Sequence, residues 1–204
     1  MSVKKKIDQW KRYYEVSDVG RISRRYFVMN AFDGALTMLG VVIGAFIAGA
    51  LQPITIITAA LSGSIAMGVS GISGAYMTEK AERTKELKEL ERAMLTDMKN
   101  RLHHKSNQFA IVFAALVDGL SPAFAAIIVA SPFFFAMNGY IQPETAFYTC
   151  IILTLIVLTT LGTYLAKISD ESMIKYGLQM LGVGLITAFL CVITAVLLGG
   201  HTAL

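Results

Sequence analysis

Five apolar segments, each long enough to cross a lipid bilayer, constrain this sequence more than any other feature. They lie at residues 27–50, 54–77, 108–136, 145–166 and 174–199. A helix needs about 20 such residues to cross a hydrocarbon core of about 30 Å, and it satisfies its own backbone hydrogen bonds there. Only 16% of the residues are charged, compared with roughly 25% in a soluble domain. The sequence therefore predicts an all-α integral membrane protein with five transmembrane helices.

The positive charges predict how these helices are oriented. All 18 lysines and arginines fit on one side of the membrane: eight in residues 1–25, eight from Lys80 to Lys105, and then Lys167 and Lys175. Because loops rich in Lys and Arg stay in the cytoplasm, this pattern predicts the N-terminus inside and the C-terminus outside. The pI near 9.1 reflects this orientation, so we expect no nucleic-acid partner.

The predicted segments divide the chain into five parts. These are a basic amphipathic segment (1–26), transmembrane helices one and two (27–77), a cytoplasmic acidic helix (78–105), transmembrane helices three to five (106–200) and a tail (201–204). No Gly or Pro occurs from Ala75 to Asp118, so the second span should continue into the cytoplasm as a long helix. Short loops and the absence of a targeting signal favour a prokaryotic plasma membrane over a vacuolar membrane.

Two aspartates lie inside predicted spans, Asp33 in the first and Asp118 in the third. A carboxylate at such depth costs several kcal/mol unless it faces protein, water or a cation. The cytoplasmic edge of the first three spans falls near Tyr26, Met77 and Gln108. Each aspartate is therefore a candidate functional residue, and its depth below that edge indicates which groups it can meet.

Three candidate ligands lie at a similar distance from the predicted cytoplasmic edge of the membrane. At 1.5 Å per residue, Asp33 lies about 10 Å from the edge, and Met67 and Asp118 lie about 15 Å from it. Two carboxylates with a thioether suit a borderline divalent ion such as Fe²⁺ or Mn²⁺, whereas oxygen ligands alone would suit Mg²⁺ or Ca²⁺. Such a carboxylate also exchanges protons, because an arriving cation displaces the proton.

An acidic stripe follows the second span. Its members, which fall within an arc of about 80° on a helix, are Glu79, Glu82, Glu86 and Glu89. Metal ions would relieve the mutual repulsion of these carboxylates and would concentrate at the entrance of a pathway. Ordinary ion pairs with basic residues three or four positions away, such as Glu79 with Arg83, explain the same pattern. Both interpretations are open at this point.

An ordered set of motifs runs through most of the chain from Asn30 onward. They are DGALTMLGVVIGA (33–45), SIAMGVSGISGAYM (64–77), TEKAERTKELKELERAML (78–95) and GLSPAFAAIIVASPFFF (119–135). In this order the motifs resemble those of the vacuolar iron transporter family, which comprises iron and manganese transporters. Five spans with the N-terminus inside also match that family.

The resemblance implies a homodimer with the translocation path between subunits and the exchange of cytosolic cations for protons. It matches Asp33 to the family's first-span aspartate, Met67 to its second-span methionine and the glutamates at 79–89 to its cytoplasmic metal-binding region. The chain departs from the family in three respects. It has no acid between Met67 and Glu79, its acidic region is one helix, and Asp118 lies where the family usually has no charge. Asp118 either replaces the missing acid or marks a different substrate.

Together these observations predict a secondary transporter, not an enzyme, that exports Fe²⁺ or Mn²⁺ from the cytosol by proton antiport. Its predicted partners are divalent metal ions, protons, the lipid membrane and a second copy of the chain, with no cofactor besides the transported metal. The predicted metal-binding residues are Asp33, Met67, Asp118, Glu79, Glu82, Glu86 and Glu89. The alternatives are an intramembrane aspartyl hydrolase using Asp33 and Asp118, and a membrane scaffold that transports nothing.

Overall fold

The computed structural model describes residues 3–94 and 102–198, with side chains for 10–94 and 104–198. Within these ranges every regular element is an α-helix: α1 (Val3–Ser17), α2 (Val19–Ile47), α3 (Pro53–Met94), α4 (Leu102–Met137), α5 (Pro143–Ile168) and α6 (Met173–Leu197). The five helices α2 to α6 are long and apolar enough to cross a membrane. The predicted all-α architecture with five candidate spans is confirmed. The predicted tail at 201–204 lies outside the described residues.

Proline and glycine mark several of the helix ends. Helices α3 and α5 begin at Pro53 and Pro143, where a fixed φ and a missing N–H cost nothing. Gly49 and Gly139 follow the ends of α2 and α4 with φ of 68° and 77°, the left-handed conformation that terminates helices. Asp18 also has a positive φ, of 48°, and it separates α1 from α2. The residues at these positions therefore determine where several of the helices begin and end.

Helix α3 is one continuous helix of 42 residues. It contains the second predicted span and most of the acidic segment, as the lack of Gly and Pro after Gly74 predicts. The position of its charged half in the cytoplasm is still a prediction from the charge pattern. Residues 95–101 of the predicted acidic helix (78–105) lie outside the described residues, and residues 102–105 belong to α4, which begins at Leu102. Helix α2 begins at Val19, well before the apolar segment that starts at residue 27.

The helices are distributed over two compact units, Met1–Phe27 with Gly68–Leu120, and Val28–Met67 with Ser121–Leu204. In the first unit, Val19 of α2 packs with Ala110 and Ala114 of α4, and Phe109 and Phe113 lie against them. Aromatic rings of α1 reach the same place: the ring centroids of Trp10 and Phe109 are 6.3 Å apart, and those of Tyr14 and Phe113 are 5.8 Å apart. Helix α1 is therefore held on α4 by an aromatic cluster.

The second unit has the larger apolar core. Its fully buried side chains come from α2 to α5 and include Met38, Leu39, Ile56, Phe133 and Leu158. Small residues set the spacing between α5 and α6: a Cβ on Gly162 would lie 2.7 Å from the carbonyl oxygen of Tyr176 and 3.1 Å from Cα of Gly177. Close backbone approach of this kind is typical of helix packing in membranes. Helices there associate without a hydrophobic driving force, and small residues allow the close van der Waals contact that stabilises the pair.

Candidate functional site

Asp33 lies on the open side of α2, in the second unit. Its side chain and that of Thr37, one turn further on, are exposed, whereas Ala35 and Met38 on the opposite side are buried in the core. Gly40 lies on the same face but is half-buried, and a Cβ there would lie 3.4 Å from Sγ of Cys191 on α6. An exposed carboxylate inside a membrane span is costly in lipid, so it requires water, a cation or another protein chain. The small face around Asp33 is therefore the strongest indication of a functional surface in this unit.

Gly34, the neighbour of Asp33, explains how α2 is held at this level. A Cβ on Gly34 would lie 2.7 Å from Cα of Pro122 and 2.8 Å from its carbonyl carbon. Only glycine permits so close an approach between the backbones of α2 and α4. The Asp-Gly pair thus serves two purposes, because the glycine fixes the helix against its neighbour while the aspartate faces outward.

Met67 is half-buried and packs against the hydrophobic core of the second unit. This contact is the ordinary role of a flexible thioether that fills a gap between helices. The structure thus gives Met67 a packing role, and its role as a metal ligand is still a prediction.

Asp118 lies in the first unit, half-buried on α4. A Cβ on Gly71 of α3 would lie 3.0 Å from Oδ2 of Asp118 and 2.8 Å from Cα of Gly119. On the other side of the contact, a Cβ on Gly119 would lie 2.8 Å from the backbone nitrogen of Ile72. Gly71 of the second span therefore allows close helix packing and brings the Asp118 carboxylate onto the surface of α3.

Glu79, the first member of the acidic stripe, is buried, with only 3% of its surface exposed. Nε of Arg83 donates to Glu79 Oε2 at 2.9 Å, and the Tyr26 hydroxyl donates to Oε1 at 3.0 Å. Arg83 also donates from Nη1 to Oδ1 of Asn107 at 3.5 Å. This polar cluster joins α2, α3 and α4 within the first unit. Both carboxylate oxygens of Glu79 accept a hydrogen bond, one from Tyr26 and one from Arg83, so a metal ion binding there would compete with these partners.

The other three glutamates of the stripe, Glu82, Glu86 and Glu89, are exposed. Glu89 forms a weak ion pair with Lys85, whose Nζ lies 4.0 Å from Oε1. Two of the ion pairs that the sequence allowed are thus present, one buried at Glu79 and one exposed at Glu89. Metal binding by the exposed glutamates is still a prediction.

The predicted ligands are divided between the units. Asp33 and Met67 belong to the second unit, whereas Asp118 and the glutamates belong to the first. Among the side chains that the structure describes, at residues 10–94 and 104–198 of one chain, no three from His, Cys, Asp or Glu form a group suited to a metal ion.

No motif in the sequence marks Tyr26 or Asn107 as a partner of the buried ion pair. The contact of Tyr26 with Glu79 could have been predicted from how far each residue lies from the membrane edge. The predicted membrane edge passes near Tyr26 on the first span and Met77 on the second, so Glu79 comes to the level of the tyrosine hydroxyl. For Asn107 the sequence offers only its place near the start of the third span, which does not specify a contact with Arg83.

These features define an α-helical, multi-pass membrane protein with carboxylates inside its spans. The sequence profile of the VIT family matches the chain in two overlapping segments, residues 24–105 and 91–196. The chain therefore belongs to the vacuolar iron transporter family, and the resemblance noted from its motifs is confirmed. It is also 35% identical over 175 residues to an uncharacterized protein of Methanocaldococcus jannaschii, across 84% of this chain and 88% of that protein.

Proposed function

We propose that this protein is a secondary transporter that exports divalent transition metal ions, Fe²⁺ or Mn²⁺, from the cytosol in exchange for protons. The observation that carries the proposal is the exposed carboxylate of Asp33 within a membrane-spanning helix of a VIT-family chain. An acid at that position has a large energetic cost that a transported cation or proton offsets. Membership of a transporter family argues against the hydrolase and scaffold alternatives.

The proposed ion site combines Asp33, Met67 and Asp118. Carboxylate oxygens and a thioether favour Fe²⁺ or Mn²⁺ over the harder Mg²⁺ and Ca²⁺. The open face of α2 supports a homodimer in which this face meets a second copy. Thr37 is exposed there, and a Cβ on Gly44 would meet nothing within 4 Å, so small residues leave room for another helix to approach closely. In a two-fold dimer each subunit would present its Asp33 to the shared path.

Proton exchange follows from the same carboxylates. Metal binds only the ionised form, so metal loading releases protons and protonation releases metal. A proton gradient directed into the cell would then drive metal outward. The exposed Glu82, Glu86 and Glu89 would raise the local cation concentration at the cytoplasmic entrance. The archaeal relative supports placing the protein in a prokaryotic plasma membrane.

Transport in proteoliposomes tests the proposal. Mn²⁺ flux is followed with a metal-sensitive dye, and we expect it to depend on an imposed pH gradient. We also expect the flux to fall at least about tenfold in Asp33→Asn and in Asp118→Asn, because changes at a metal site typically reduce affinity or activity by about 10- to 100-fold. Asp170→Asn is the matched control, because Asp170 is an exposed turn residue with φ of 53°, a conformation that asparagine also adopts. Full flux in both membrane variants would refute the site, and flux indifferent to pH would refute antiport.

A further inference from the structure

A cavity of about 460 Å³ lies between α3 and α4 in the first unit, and its described lining includes none of Asp33, Met67 and Asp118. Its polar wall includes Lys80, Arg83, Thr84, His104 and Gln108. Its described lining contains no carboxylate, although the protein is proposed to carry cations. The occupant that such a cavity favours is an anion.

The cationic groups of this α3–α4 cavity differ in how far they are neutralised. The charge of Arg83 is balanced by Glu79 behind the wall, but a guanidinium has five N–H donors and only part of them are engaged there. Lys80 is exposed, and its Nζ lies 5.6 Å from the centroid of the Tyr76 ring. The cavity therefore has a net positive charge, centred on Lys80.

Neutral donors complete the polar wall. The Thr84 hydroxyl and the Gln108 amide both line it, and Nε2 of Gln108 lies 3.1 Å from Nε2 of His104. A guanidinium, an ammonium, a hydroxyl and an amide around one space suit a group with several oxygens, such as a phosphate.

The remaining wall is apolar and continues toward the membrane. Leu87, Ile111 and Val112 line it, and half of the Val112 surface is exposed. The cavity lies where α3 changes from its apolar to its charged half, just beyond Met77. In membrane proteins that boundary falls at the level of the lipid headgroups, where tyrosines such as Tyr76 are also enriched.

We propose that the α3–α4 cavity binds the headgroup of an anionic phospholipid. The phosphate would meet Lys80 and the neutral donors, and the acyl chains would run along Val112 and the exposed apolar surface below it. Basic pockets between transmembrane helices bind anionic headgroups in this way. A bound lipid would bridge α3 and α4 beside the Glu79–Arg83 pair and would stabilise the first unit. This site is independent of which metal is transported.

Thermal unfolding of the full chain in lipid vesicles tests the proposal. Vesicles of phosphatidylcholine alone are compared with vesicles that also contain phosphatidylglycerol. We expect phosphatidylglycerol to raise Tm of the wild type by roughly 3 °C or more. Lys80→Gln, which removes the charge at an exposed position, should lose at least half of that rise. Lys167→Gln, an equal change of charge at an exposed position outside the cavity, should keep it.

Three results would overturn the proposal. The first is a full phosphatidylglycerol response in Lys80→Gln. The second is an equal rise of Tm from inorganic phosphate in phosphatidylcholine vesicles, which would assign the cavity to a free anion. The third is efficient disulfide formation between copies of a Thr84→Cys variant in native membranes, which would show that a second copy of the chain covers the cavity. Phosphatidylglycerol retained through purification, counted by native mass spectrometry and reduced in Lys80→Gln, would support it independently.

Discussion

The carboxylate of Glu79 accepts one hydrogen bond from Tyr26 and one from Arg83. Two charges removed from water in this way are stabilised mainly by each other, so the net gain from the pair is small. The loss of one partner, in contrast, strongly lowers the stability of the protein, because the remaining charge is then buried without compensation. Glu79 is therefore better suited to hold three helices together than to bind and release a cation.

Replacement of Glu79 distinguishes these two roles. We expect Glu79→Gln to destabilise the protein by about 3 kcal/mol, because Arg83 is left as an uncompensated buried charge. The effect should appear as a lower Tm in the absence of metal. Glu82→Gln, three residues away but exposed, should change stability by less than about 0.5 kcal/mol. Equal stability of the two variants would contradict a structural role for the buried pair.

Where α3 crosses α4, the residues that pack the two helices are adjacent to a candidate metal ligand. Gly71 and Gly119 bring the two backbones together, and this contact positions the Asp118 carboxylate on α3. Any side chain added here must separate the helices, since the nearest atoms belong to backbone. Helix packing and the geometry of a candidate ligand are thus coupled at a single contact.

A methyl group added at Gly71 tests whether the packing of α3 on α4 and the position of Asp118 are coupled. We expect Gly71→Ala to destabilise the protein by about 1–3 kcal/mol through overpacking and to reduce metal flux by displacing Asp118. Gly63→Ala on the same helix is the control, because a Cβ there meets nothing within 4 Å, and alanine favours the helix by up to about 1 kcal/mol. Thermal unfolding and vesicle flux measure the two effects. Normal flux in Gly71→Ala would show that the position of Asp118 is unimportant.

The elements also show what the sequence could and could not predict. The absence of Gly and Pro after Gly74 predicted the continuity of α3 as far as Met94, because those residues are the strongest helix breakers. Hydropathy located the first span but not the start of α2 at Val19, because Arg21, Arg24 and Arg25 end the apolar segment without ending the helix. The burial of Glu79 depends on where Tyr26 and Asn107 lie in space, and periodicity along one helix does not contain that information.

Two contrasting surfaces lie outside the core of the second unit, one on α6 and one on α2. Helix α6 exposes large apolar side chains, including Ile174, Ile186 and Phe189, which suits contact with lipid. Helix α2 instead exposes Asp33 and Thr37 beside small residues. Lipid does not satisfy a carboxylate, so the second surface is the one that requires a partner. We propose that a second copy of the chain covers this face, with a cation or a proton held between the two Asp33 carboxylates, because two ionised carboxylates alone would repel each other.

Disulfide trapping in membranes tests this arrangement. In a background where Cys150 and Cys191 are replaced by alanine, Thr37→Cys should form a covalent dimer on mild oxidation. The proposed interface places Thr37 near the two-fold axis, where a residue lies close to its own copy, and a disulfide needs Cα atoms within about 7 Å. Ile186→Cys, which is equally accessible on α6, should remain monomeric and serves as the control. We expect Mn²⁺ to change the rate of trapping at Thr37, since the metal would bind one turn away at Asp33. Trapping at Ile186 but not at Thr37 would move the interface to α6 and leave Asp33 without the partner that its position requires.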